Sequence, residues 1–226
     1  MNFWLIVALA LAPSAFIAAY IVYRDRKAPE PPGMLLRAFT GGLLSPLLSI
    51  PLSLSFQQLG LNDGGDSIRT LGYAFITVAT SEELAKYAVL WIISRSPWFD
   101  EPFDGIVYGV IVALGFATLE NFLYVFSEGG GSMSIALKRM FTAVPAHAAF
   151  GAMLGYFLGL ARYLHARNPL VTLLGILLAI FFHGGYDFFL RAASENWGML
   201  NLTRAIASLV IVIRLARHAI ALHHEK

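Results

Sequence analysis

Seven ionisable side chains stand in stretches of this sequence that are otherwise strongly apolar: Glu82, Glu83, Lys86, Glu120, His147, His183 and Asp187. An Asp, Lys or Arg near the centre of a membrane-spanning helix costs about 2.5–3.5 kcal/mol on insertion scales. Groups carried at such a cost must face a bundle interior, pair with one another, or line water. Their spacing pairs them. Lys86 lies four residues after Glu82 and three after Glu83, so on a helix it shares a face with a carboxylate. Phe116 and Glu120 are four apart, as are His183 and Asp187, and each pair projects from one side of its helix.

Two adjacent carboxylates in a poorly hydrated site cannot both carry charge cheaply, so one is suited to take a proton from water. A histidine can donate to a developing oxyanion, and Asp187 is spaced to orient His183. Together these groups suit a peptide hydrolase that uses glutamate-activated water. The same side chains also suit a divalent metal, zinc foremost, with Glu83 or Glu82, Glu120, His147 and His183 as the ligand set and a remaining glutamate as base. Both schemes stand at this level. Lys86 reads as the neutralising partner of the glutamate pair. His147 has two readings, as a site residue and as an interhelical hydrogen-bonding residue. Asp104, followed by Gly105, reads as a helix cap. The strings H-E-x-x-H, G-x-S-x-G and G-x-G-D are absent, which disfavours zincin, serine and aspartyl schemes.

The elements that must position these residues are membrane spans. Hydrophobic residues make up 58% of the 226 and charged residues only 13%, about half the charged fraction of a soluble domain, so a water-facing surface cannot be built. Mean hydropathy is +0.67. There is no cysteine, which excludes disulfide scaffolds and thiolate metal sites, and a net charge of +2 gives no sign of a nucleic-acid partner. Runs of about 20 apolar residues predict seven helical spans. They lie near Phe3–Tyr23, Leu36–Leu59 (kinked at Pro46 and Pro51), Thr70–Ile93, Phe103–Phe126, Met140–Leu164, Leu170–Leu190 and Trp197–Ile220. The expectation is an all-α bundle forming one integral-membrane domain over residues 1–226, its motif-bearing core at about 70–191. With the N-terminus outside, ten Lys and Arg fall on the cytoplasmic side and five outside, which favours N-out and C-in. At 1.5 Å per residue, Glu120, His147 and His183 each lie roughly 9–12 Å below the outer surface, with Asp187 at about 6 Å and Glu82 at about 18 Å. Four helices thus bring ionisable groups into the outer half of the bilayer. Gly151, Gly155 and Gly159 predict a close helix–helix approach.

The ordered motifs carry a resemblance. Glu82-Glu83-Leu84-Ala85-Lys86 reads E-E-x-x-K, Phe116 to Glu120 reads F-x-x-x-E, and His183 to Asp187 reads H-x-x-x-D. With Asp104-Gly105-Ile106-Val107-Tyr108-Gly109 and Glu120-Asn121, this order resembles the PrsW family of intramembrane proteases over about residues 80–190. That family is similar to the larger group of prenyl-protein and bacteriocin-processing membrane proteases, patterned E-E-x-x-x-R, F-x-x-x-H and H-x-x-x-N. The resemblance implies a catalytic set of Glu82, Glu83, Glu120, His183 and Asp187, with Glu82 activating water and Glu83 supporting it. Lys86, Phe116, Asn121 and His147 stand beside them. Glu120 occupies the position where the larger group has histidine, and His147 is a candidate for the missing imidazole. The resemblance further implies a bacterial plasma-membrane enzyme cleaving membrane-anchored, single-pass substrates such as anti-sigma factors within the lipid bilayer. Two other classes compete. A proton- or cation-coupled transporter also places Glu, His and Lys at mid-membrane, although no internal repeat is visible. A non-catalytic interaction protein would not need complete motifs.

Overall fold

The computed structural model describes residues 3–64, 66–127, 133–163 and 168–192, with isolated positions 207, 210 and 214. The seventh expected span, near 197–220, lies outside the described residues apart from those positions. Every element among the described residues is helical: α1 Phe3–Arg24, α2 Pro32–Leu44, α3 Pro46–Gln58, α4 Ser67–Gly72, a π-helix Tyr73–Thr80, α5 Ser81–Ile93, α6 Pro102–Ser127, α7 Met133–Phe141, α8 Ala143–Tyr163 and α9 Pro169–Ala192.

Among the described residues, five helical stretches are long and apolar enough to cross a membrane: 7–24, 32–58, 102–126, 135–163 and 169–191. The third predicted span forms continuous helix over 67–93, and its charges, Glu82, Glu83 and Lys86 among them, set it apart from those five. The second span breaks at Ser45, just ahead of Pro46, as expected of a residue that lacks an N–H and clashes with the preceding turn; Pro51 is accommodated inside α3. The fifth span begins earlier than the hydropathy suggested, because the short helix α7 precedes α8.

α6 is apolar on all sides and correspondingly enclosed, with Ile106, Val107, Tyr108, Ala113, Leu114 and Ala117 fully buried. Its tightest partner is α8, and the glycines explain why. A Cβ on Gly155 would stand 1.8 Å from the Gly105 carbonyl oxygen, and one on Gly151 would stand 2.4 Å from that of Gly109. Gly159 meets Pro102 in the same way. The two backbones therefore touch, which sets the register between the residues further along each helix. α2 crosses α6 through Gly42, whose added Cβ would meet the Val112 carbonyl oxygen at 2.0 Å. α1 is tied to α6 where the Thr118 hydroxyl donates to Ser14 Oγ at 3.0 Å. α1, α3 and α9 turn large apolar side chains outward, including Phe16, Leu47, Leu54, Leu170 and Phe181, as helices facing lipid do.

At the end of the bundle opposite Glu120, buried acids join the α1–α2 loop to α6. The Tyr108 hydroxyl donates to Glu30, and the Glu30 amide donates to Asp25 Oδ2 at 3.1 Å. Asp104 Oδ2 accepts from the amides of Asp100 and Glu101 at 2.6 and 2.7 Å. Asp104 is thus the third-residue half of a capping box at the start of α6, consistent with the capping expectation. Burial raises Asp25 from an ordinary value of 3.8 to about 7. Burial, with Asp104 nearby, raises Glu30 from 4.5 to about 8, against the lowering effect of the Tyr108 hydrogen bond.

Two outcomes follow from this packing. Gly155→Leu should cost about 3 kcal/mol or more by overpacking and lower the thermal unfolding midpoint of the detergent-solubilised protein. The folded state also holds protons on Asp25 and Glu30 that the unfolded chain releases near its ordinary carboxyl values. Their contribution to stability is full below those values and is lost as pH rises through about 7 and 8. The unfolding midpoint should therefore fall between pH 5.5 and 8.5, and Glu30→Gln should flatten that fall.

Candidate active site

The third span reaches the site through an unusual piece of helix. Asp66 caps α4 by accepting from the Arg69 amide at 2.8 Å. The chain then widens into the π-helix, where the Thr80 hydroxyl donates to the Phe75 carbonyl five residues back at 2.8 Å. Thr77 donates to the Leu61 carbonyl at 2.8 Å and pins this segment to the loop after α3. The widened turns shift the helical register immediately ahead of Glu82 and Glu83, which open α5. Against the π-helix lies α9, where a Cβ on Gly184 would meet the Phe75 ring at 2.7 Å. The glycine after His183 is what lets the two segments close.

Lys86 sits at the centre. Its ammonium donates to Glu83 Oε1 at 2.7 Å, stands 3.6 Å from Glu82 Oε2, and lies 4.3 Å above the Phe116 ring. It also reaches His147 Nδ1 at 3.1 Å. An ammonium has no lone pair, so Nδ1 accepts and Nε2–H is left to donate to Glu120 Oε2 at 2.7 Å. On α9, His183 Nδ1 donates to Glu83 Oε1 at 2.8 Å. Its Nε2 then faces Glu82 Oε2 at 3.8 Å and Asp187 Oδ2 at 3.9 Å. The Phe150 ring stacks on His183 at 5.0 Å, and the two imidazoles stand edge to face at 5.2 Å. Glu83, Lys86, His147 and His183 are buried, whereas Glu82, Glu120 and Asp187 keep 14–17% of their side-chain surface exposed. That edge is the accessible side of the cluster.

All seven intramembrane groups picked out by sequence thus lie in one linked cluster, with Phe116 packed beneath Lys86 and Asn121 at its rim. One member was missed. Arg139, one of the five Lys and Arg that the N-out topology places outside, lies on α7, and its Nη2 donates to Glu120 Oε2 at 2.7 Å. Its Nε donates to Asn121 Oδ1 at 2.7 Å, and its guanidinium lies 4.3 Å from the Tyr124 ring centroid. An arginine at the outer edge of a span, opposite a buried glutamate with no assigned cation, was the available signal.

Two carboxylate oxygens in this cluster, Glu82 Oε2 and Glu83 Oε2, are buried without a hydrogen-bond partner. Glu82, His147 and His183 each offer a ligand atom within 4.8 Å of the others. Two imidazoles and one carboxylate form a donor set suited to a divalent cation with an open coordination position, so the residues fit a metal. Glu83 Oε1 is held by Lys86 and His183, and Glu120 Oε2 by Arg139 and His147.

A helical membrane bundle enclosing glutamates, histidines and a metal-competent triad defines a membrane-embedded hydrolase. Residues 30–216 match the family described as PrsW family intramembrane metalloprotease, and the chain belongs to that family. It is similar to the Protease PrsW of Bacillus subtilis, 36% identical over 197 residues that cover 85% of each chain. The Geobacillus kaustophilus Protease PrsW is 34% identical over 85% of this chain and 82% of its own length. That of Shouchella clausii is 32% identical over 93% of both. No solved structure matches. The chain is therefore a bacterial intramembrane protease that acts on membrane-embedded substrates, and the transporter reading of the same groups is not favoured.

The Arg139 clamp generates a double-mutant test. Arg139→Met strands Glu120 beside His147 and should destabilise the protein by about 3 kcal/mol, the scale for breaking a buried pair from one side. Adding Glu120→Gln should restore a substantial part of that loss in the thermal unfolding midpoint.

Proposed function

We propose that this chain is a zinc endopeptidase whose metal is held by Glu82, His147 and His183. The convergence of those three donors, with Glu82 Oε2 and the neighbouring Glu83 Oε2 both buried and without a hydrogen bond, supports this reading above all. When bound, the cation supplies Lewis acidity toward a substrate carbonyl and toward water. Glu83 has a separate task. By accepting from His183 Nδ1 it fixes the tautomer and leaves Nε2 free on the Glu82 side, the carboxylate–histidine arrangement that orients metal ligands. Its second oxygen is the proton acceptor for the attacking water and returns that proton to the leaving amine.

Glu120 orients His147 by accepting from Nε2, and Arg139 keeps it charged for that purpose. This differs from a role as direct ligand or as substitute for a histidine. Lys86 places positive charge between Glu82, Glu83 and His147 and is held to Glu83 by its 2.7 Å hydrogen bond. Asp187, at the accessible edge and 3.9 Å from His183 Nε2, contacts the substrate backbone.

The domain is taken as one protease unit over 1–226 with its core at 70–191, in the plasma membrane with the N-terminus outside and the C-terminus cytoplasmic. Charge asymmetry supports that orientation. The substrates are single-pass membrane proteins, anti-sigma factors among them, cut in the outer half of the bilayer.

Purified protein and single-pass substrates test the assignment. Glu82→Ala, His147→Ala and His183→Ala should each lower bound metal to a small fraction of one per chain and abolish detectable cleavage. Glu83→Gln should weaken metal binding by only about 10–100-fold while eliminating cleavage even at saturating zinc. Full metal content and full activity in Glu82→Ala would rule out the triad.

A further inference from the structure

Away from the active site, a groove of about 510 Å³ opens between α5, α8 and α9 at the opposite end of the bundle. Its volume is within the range of about 300–1,000 Å³ that accommodates small-molecule ligands. The last turns of α5 and α8 and the first two turns of α9 bound it, and none of the catalytic-cluster residues lines it. The shape follows from helix divergence. α9 packs against the π-helix and α8 but makes much less contact with α5, so α5 and α9 splay apart over a floor of Leu158 and Ala161.

The lining separates into two zones. At the mouth stand Arg95 and Arg162, with no carboxylate within ion-pair distance of either among the described residues. Arg95 is exposed and lies flat on the Trp91 ring, 3.5 Å from its centroid, and Arg162 lies 5.1 Å from that of Phe99. Aromatic contacts hold both guanidiniums in place, and Arg162 also hydrogen-bonds the Tyr163 side chain, which leaves donors of its planar fork for a ligand. Buried Leu158 and Ile176, with exposed Leu173, make an apolar wall. From Pro169 to Ile176 the wall runs about 10 Å at 1.5 Å per residue, a large part of one leaflet's hydrocarbon depth.

We propose that this groove binds an anionic phospholipid, its phosphate on Arg95 and Arg162 and an acyl chain in the wedge between α5 and α9. Charge complementarity selects the ligand: two guanidiniums with no carboxylate in ion-pair distance among the described residues stand beside a groove lined by Leu158, Leu173 and Ile176 and by the hydroxyls of Ser94 and Thr172. Basic pockets between transmembrane helices bind anionic headgroups by the same physics. Trp91, one turn from Arg95, is a side chain of the kind that settles at a membrane interface. A lipid seated there bridges the helix that carries Glu82 and Glu83 to the helix that carries His183.

Native mass spectrometry of the full-length protein in detergent tests this, using phosphatidylglycerol and phosphatidylcholine with identical acyl chains. Phosphatidylglycerol should be retained with about tenfold preference and should raise the thermal unfolding midpoint, which phosphatidylcholine should not do. Arg95→Gln with Arg162→Gln should reduce phosphatidylglycerol to the phosphatidylcholine level, whereas Arg37→Gln, outside the groove, should keep the preference. Leu173→Trp fills the wedge from an exposed position and should lower retention of phosphatidylglycerol without changing charge. Equal retention of both lipids by the wild type, or a preference that survives the double arginine variant, would overturn the proposal. Displacement of phosphatidylglycerol by an uncharged transmembrane peptide would assign the groove to substrate and overturn it as well.

Discussion

An ammonium sealed among carboxylates inside a membrane is the constraint on which the rest of this site depends. Lys86 and Glu83 are both essentially inaccessible, at 1% and 0% exposure, and neither could remain charged there alone. Their direct pair leaves charge and lone pairs over, which Glu82, His147, His183 and Glu120 take up in turn. Removing any one link exposes the next. Four helices, α5, α6, α8 and α9, are therefore held together by a polar network at a depth where apolar packing alone would tolerate many rotations of each helix.

The apolar scaffold is built to make that network cheap. The glycine contacts between α6 and α8 bring backbone against backbone, and a seam without side chains has little freedom to slide. Glu120 and His147 lie further along those two helices, so the seam sets the 2.7 Å contact between them. Gly184 does the same for α9 and the π-helix, placing His183 against Glu83. Small residues in a membrane bundle are commonly read as packing aids. In this chain they set the distances within the polar cluster.

The two ends of the bundle answer different demands. The Glu120 end carries an accessible edge of carboxylates beside a buried cationic centre, the arrangement a hydrolytic site needs to admit peptide and water. The other end holds partly protonated acids under Tyr108 and a basic rim at Arg95 and Arg162. Protonation of Asp25 and Glu30 near neutral pH removes the need for a counterion there, which is how these acids persist at the root of α6 with no ion pair among the described residues.

Much of this was legible in the sequence because a membrane imposes simple rules. Length and apolarity located the described spans, and the cost of intramembrane charge singled out the seven groups that cluster. Ordered motifs identified the protease family. Three features needed the tertiary structure. The π-helix before Glu82 has no distinct periodic signature, so the facing of the glutamates could not be extrapolated at 3.6 residues per turn. Arg139 looked like an ordinary interfacial charge, since nothing local tells an arginine at a span edge whether it meets headgroups or a glutamate on another helix. The same limit applied to the metal-competent set: sequence offered Glu82 or Glu83, Glu120, His147 and His183 as equivalents. Ion pairing with Lys86 and Arg139 ties up one oxygen each of Glu83 and Glu120, and Glu82 is left to converge with the two histidines. The sequence by itself determined which residues must meet, because lipid leaves them no alternative. Only the tertiary structure decided which partner each one takes, because that depends on distances between helices that no single helix encodes.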